Sequence, residues 1–196
     1  VREWLWRRVA ALATRPGALG WLQRHSKVYS HIGPEDNRYM LRFWLFNPYG
    51  LQSETRRTTE RTTTTPARWR WLPSIRLHCI LRPDQDCHLH DHPWNARTIV
   101  LWGSYVEERP SELFGERGET YSMHYTADGF MRPREVFTRN TGYTGRLLYG
   151  QYHRLASIPS GHVWTLFFTW RERGEWGFDV DGTKVPHREY LKKNEI

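Results

Sequence analysis

From residue 74 onward the chain falls into short apolar runs at close spacing, separated by turns rich in Gly, Pro and Asp. Residues 74–82, 98–106, 119–125, 134–138, 146–149, 163–170 and 176–180 each read as a strand, and 38–46 precedes them. Many short strands joined by tight turns make a β-sandwich or barrel. In 74–82, Leu77, Cys79 and Leu81 alternate with Arg76, His78 and Ile80, the period of a strand with two unlike faces. In 38–46, Tyr39, Leu41, Phe43 and Leu45 alternate with Met40, Trp44 and Phe46, so this strand is buried in part on both faces. At 196 residues the chain suits one domain, 1–196, with a sizeable core. Its 11 tryptophans fit a β-rich core or a ligand pocket with flat walls.

Two segments break the pattern. Leu5, Val9 and Leu12 recur at helical spacing, which predicts a helix over 3–14 ended by Pro16-Gly17, with a second short helix over 18–25. Residues 1–32 are therefore expected to form a helical cap. Residues 51–70 hold seven Thr and five Arg without any hydrophobic period. They are expected to form a long surface loop of the kind that serves as a lid, with arginines suited to a phosphate or carboxylate.

The formal charge is +8, but the basic residues are spread along the chain with no Lys/Arg block. That distribution disfavours nucleic acid and suits a basic surface or a site for a small anion. No apolar run reaches the length of a membrane span, and Arg2, Glu3, Arg7 and Arg8 interrupt the segment where a secretory leader would lie. Cys79 and Cys87 make no disulfide framework, in keeping with a cytoplasmic protein.

His88, His90, Asp91 and His92 fall within five residues. Imidazoles one residue apart on an extended chain share a face, and converging neutral imidazoles ligate Fe, Zn, Cu or Ni. His90/His92 and His88/His90 are both admissible pairs. Asp91 points away from such a site and is placed to accept a hydrogen bond from a neighbouring ring. A third ligand must come from elsewhere, and His153, after the turn Gly150-Gln151-Tyr152, is the best placed; His162, behind Gly161, reads as incidental.

The two regions together resemble the paired signature motifs of the metal-binding cupins. His90-x-His92 with Gly103 matches the first; Gly142, Gly150 and His153 match the second. Three positions depart: Ala96 stands in the Glu place, Leu148 in the Pro place and Ser157 in the Asn place. The string His90-Asp91-His92-Pro93-Trp94 also resembles small phage and actinobacterial cupins labelled cysteine-dioxygenase-like. The resemblance covers roughly half the chain. It implies a mainly β cupin, a double-stranded β-helix or jelly-roll barrel, with metal on His90, His92 and His153. It favours the His90/His92 pair over His88/His90.

Ala96 removes the one carboxylate ligand that the motif supplies, leaving an open coordination site. Such a centre suits an Fe(II)-dependent oxygenase using O2 and 2-oxoglutarate to hydroxylate or halogenate a small anionic, nucleotide-like metabolite. Iron halogenases likewise carry Ala or Gly for the acidic ligand and place chloride there, although their pattern is His-x-Ala. The alternatives are a three-histidine thiol dioxygenase and a cupin that binds metal or ligand without turnover. For 2-oxoglutarate, Arg76, Arg97, Arg154 and Thr165 are the candidate contacts; for a substrate base, Trp94, Trp102 and Trp164 are the candidate walls.

Overall fold

The structure, a computed structural model, describes residues 2–32, 36–49, 67–111, 120–125, 129 and 131–193. Two helices, α1 (Glu3–Ala13) and α2 (Ala18–His25), open the chain. Strands follow: β1 (Lys27–Ile32), β2 (Met40–Phe46), β3 (Ser74–Ile80), β4 (Leu89–His90), β5 (Trp94–Trp102), β6 (Ser104–Pro110) and β7 (Thr120–Tyr125). After these come β8 (Met131–Asn140), β9 (Thr144–Leu147), β10 (Arg154–Ser157), β11 (Val163–Glu172), β12 (Gly177–Val180) and β13 (Thr183–Pro186), and then α3 (His187–Lys193). Among the described residues no helix is long and apolar enough to cross a membrane.

All strand pairs are antiparallel. One sheet runs β1-β2-β3-β11-β5-β9, a second β10-β6-β8-β7 and a third β13-β12-β4. A bridge between His90 and His153 joins the last two into one layer. The chain thus enters β3, β11, β5 and β9 in one layer and β4, β10, β6 and β8 in the other, the order of a jelly roll. This is the mainly β jelly-roll barrel with a short N-terminal helical cap that the sequence implied.

Alternation along each strand divides the core in two. Ile80, Val100 and Val163 of the larger sheet meet Tyr105 and Leu155 of the other layer inside the barrel. Their strand neighbours Leu77, Ile99, Leu101, Leu166 and Phe168 face outward and pack with Trp6, Val9 and Ala10 of α1. The helices thus cover the back of the large sheet. Burying that apolar face is worth roughly 25 cal/mol per Å².

Several boundaries differ from the sequence reading. The helical part of the cap ends at His25, and Lys27–Ile32 is an edge strand on β2. The run 98–106 is two strands, because Gly103, at φ +82°, turns the chain. A Cβ there would lie 2.6 Å from Ser160 Oγ and 2.7 Å from the His162 carbonyl oxygen, so only glycine fits. Most of the Thr/Arg-rich segment, residues 51–66, lies outside the described residues. Its two sides are tied together by the buried Asn47, whose side chain donates to the Trp69 and Leu72 carbonyls and accepts from the Trp69 N–H.

Candidate metal centre

Three imidazoles from two neighbouring strand ends converge inside the barrel. His90 ends β4, His92 lies two residues on, and His153 leads into β10. One ring nitrogen of each lies within 4.8 Å of the others. The ring centroids form a nearly equilateral triangle of 5.1, 5.0 and 5.1 Å. The backbone sets this spacing: His90 and His153 exchange N–H···O bonds of 2.9 Å in both directions. Gly150, at φ +81°, makes the turn that brings the chain back to that bridge.

Glu107 orients His153. Its carboxylate can only accept, so His153 Nδ1–H donates to Glu107 Oε1 at 3.0 Å, which in the neutral ring leaves the lone pair on Nε2. That lone pair faces His92 Nε2 at 2.9 Å. A neutral His92 would donate its Nε2–H there; with a cation bound, the Nε2 atoms of both rings would hold it and His92 would carry its proton on Nδ1. Glu107 is buried and also binds Arg139 at 2.8 Å and Arg109 at 3.0 Å. Burial opposes its charge, but the His153 hydrogen bond and the arginines hold the carboxyl well below the usual range. His90 turns Nδ1 toward Asp84 Oδ2 at 3.8 Å. His92 is fixed by Trp94, stacked on it at 4.7 Å and 9°.

Burial, then the neighbouring imidazoles, pushes His92 well below its ordinary pKa. Burial and His153, opposed by Asp84, bring His90 down to about 4 from 6.5. Both rings are therefore neutral, the state that ligates a metal. The unfolded chain protonates these histidines near 6.5. It therefore binds more protons than the fold as pH drops below that value. Stability of chelator-treated protein is expected to fall on acidification from about pH 6.5 to about 4. Urea midpoints measured across that range check this, and a flat profile contradicts it.

Asp91 is fully buried and points away from the triad, as an extended chain requires. The expected hydrogen bond to a neighbouring imidazole is not formed. Asp91 instead accepts from Gly177 N at 2.7 Å and pairs with Lys184 Nζ at 2.6 Å, clamping this segment to β12 and β13. His88 lies outside the triad, with Nδ1 2.8 Å from the Tyr190 hydroxyl. His162 stacks on Trp102 at 4.6 Å.

The other candidates divide by strand face. Trp94, Ala96, Arg76 and Thr165 share the barrel side with Val100, Ile80 and Val163. Arg76 is buried, donates to the Tyr49 hydroxyl at 2.7 Å and to Thr169 Oγ1 at 2.8 Å, and lies 5.3 Å from the Trp94 ring. The structure does not bring Arg97, Trp102 and Trp164 to the histidines, and Arg154 acts on His90 through its charge alone. Arg97 faces the helices, binds Glu3 at 2.6 Å and covers Trp6 at 4.9 Å. Arg154 lies near Glu108, at 3.8 Å, on the outer face. Trp164 packs on Phe43 in the outer core. Trp102 is exposed at the opposite end of β5 from Trp94.

Glu107 escaped the sequence reading because the strand was ended at Val106. Extending the alternation Tyr105, Glu107, Arg109 points to it. Trp176 and Phe178 also went unassigned; their rings lie 6.1 and 5.9 Å from His90.

A jelly-roll barrel with three converging histidines, one of them held by a buried carboxylate, is an arrangement that can hold a metal ion. No protein-family model matches the chain, and no curated protein matches it in sequence. Among solved structures it is similar to Fe(II) HppE, with 10% identity and a TM-score of 0.42 over 75% of this chain and 57% of that one. It is also similar to a recombinant oxalate oxidase in complex with glycolate, with 11% identity and a TM-score of 0.36 over 63% and 57%. A cupin-like protein from Thermotoga maritima gives 11% identity and a TM-score of 0.34 over 85% and 93%. The chain spans less than two thirds of the first two. Likenesses this remote carry no residue role or activity over to this chain.

Proposed function

We propose that this chain is a non-haem Fe(II)-dependent oxygenase of the cupin type that uses 2-oxoglutarate to hydroxylate or halogenate a small anionic metabolite. The observation supporting this reading is the ligand set: three imidazoles converge with no carboxylate among them. Three imidazoles suit a ferrous ion and leave positions for O2 and a bidentate cosubstrate. Bound there, the iron supplies O2 activation. In the hydroxylation, R–H, O2 and 2-oxoglutarate become R–OH, CO2 and succinate. The protein orients the ligands through Glu107 and Trp94. Arg76 and Thr165, both buried on the barrel wall, would receive the distal carboxylate. A nucleotide-like substrate would use Trp94 as its flat wall.

The same ligand set supports a second reading, a thiol dioxygenase in which substrate thiolate and amine bind the iron. The two separate on one experiment. Protein reconstituted anaerobically with Fe(II) is exposed to O2 with 2-oxoglutarate and candidate substrates, with and without chloride. Succinate formation is expected. O2 uptake only on adding a thiol, without succinate, transfers the assignment to the thiol dioxygenase. Metal retention without any O2 uptake indicates a binding protein.

Ala96 is 2% exposed, on the barrel side of β5. Ala96→Glu is expected to destabilise the metal-free protein by several kcal/mol, because it buries an unpaired carboxylate. Metal should restore most of that loss by taking the carboxylate as a ligand, and any halide dependence should disappear. If thermal melts show no rescue by metal, Ala96 does not stand beside the ion.

A further inference from the structure

The barrel wall opposite the triad carries a second polar set. Register places Arg42 beside His78 and His78 beside Thr165; one step along, Trp44 lies beside Arg76 and Arg76 beside Phe167. Residues opposite each other in a sheet share a face, and this is the face of Ile80 and Val163, which line the barrel core. His78 is 6% exposed, Arg76 4% and Thr165 2%. The other side of β3 carries Leu77 and Cys79, so polarity here belongs to the interior face alone.

His78 Nε2 is buried and has no hydrogen-bond partner. Leaving such an atom unanswered costs about 1–3 kcal/mol, so a buried orphan of this kind calls for a ligand. Burial first, then the charges of Arg76 and Arg42, keeps the ring neutral. A neutral imidazole beside two guanidiniums can donate one N–H to an anion without adding a charge. The wall is also connected to the triad: His78 lies 5.0 Å from Phe167, Phe167 meets Trp94 edge-on at 5.6 Å, and Trp94 stacks on His92.

We propose that His78, with Thr165, orients a small carboxylate ligand between the β3–β11 wall and the three histidines, in the positive field of Arg42 and Arg76. This rests on the reading that the site takes a small anion, but requires neither metal nor turnover.

Succinate, glutarate and 2-oxoglutarate are titrated by calorimetry into chelator-treated protein and into Zn(II)-loaded protein, with succinamide as the uncharged control. Saturable carboxylate binding is expected, with succinamide at least about tenfold weaker. His78→Phe should weaken carboxylate binding at least about tenfold while Zn(II) affinity stays unchanged. His78→Gln, whose amide nitrogen can stand near the Nε2 position, should restore most of the affinity. His78→Ala makes the same comparison if the phenylalanine variant does not fold. The proposal is overturned if the folded variants bind the carboxylates as tightly as the wild type. It is also overturned if succinamide binds equally well, or if no carboxylate binds saturably. Failure of the wild type to bind Zn(II) or any other divalent metal would sink the metal reading alone, because the chelator-treated titration still tests His78.

Discussion

His153→Ala is expected to abolish stoichiometric metal binding while leaving a folded protein. The substitution removes one of three ligands from a site that has no carboxylate to replace it. Two imidazoles on the neighbouring segment remain, a weak chelate. The fold should survive because Glu107 keeps Arg139 at 2.8 Å and Arg109 at 3.0 Å once its imidazole is gone. The cost of the lost hydrogen bond is about 1.5–3 kcal/mol. Equilibrium dialysis against Fe(II) or Zn(II), read beside a urea melt, checks both halves. Retention of one metal per chain by a folded His153→Ala protein would falsify the triad.

Glu107→Gln acts on the same ligand from behind. The amide oxygen can still accept from His153 Nδ1–H, so the ring keeps its direction, but the negative charge behind it is lost. Such outer partners typically contribute 10–100-fold to metal affinity, and a loss in that range is expected from chelator competition. Stability should fall as well, by about 3–5 kcal/mol, because Arg139 and Arg109 lose their carboxylate in a buried setting. Arg139, stacked over Phe137 at 4.2 Å and Tyr143 at 4.3 Å, has little room to turn toward water. A fall in stability with unchanged metal affinity would reduce Glu107 to a structural anchor.

The fold was legible because its signal is local. Alternation in 74–82 and 163–170, with turns between, leads directly to β3 and β11, the central strands of the large sheet. The histidines were legible for the same reason: two lie one residue apart, and the third follows a turn whose glycine adopts a positive φ. The pocket walls were less legible, because strand face decides them and position near a ligand does not. Arg97 is adjacent to Ala96 in sequence yet on the opposite side of the sheet, held by Glu3 of the cap. Trp164 is displaced from Thr165 in the same way. Arg42 went unmentioned in an otherwise apolar strand, and His78 was noted only as the partner face of Leu77. Both belong to the polar interior that the alternation already marked. Glu107 depended on a boundary: ending a strand one residue early hid the carboxylate that aims His153.

The His90–His153 bridge has a consequence for how firmly an ion is held. It is the seam between the three-stranded and four-stranded sheets, and both of its residues carry imidazoles directed at the same point. An ion held there cross-links two segments far apart in the chain, removing loop-closure freedom from the opened state much as a disulfide does. Parting of the seam would separate His90 from His153 and leave an ion on fewer ligands. A variant that loosens the seam far from any ligand would therefore hold metal less tightly with its imidazoles intact.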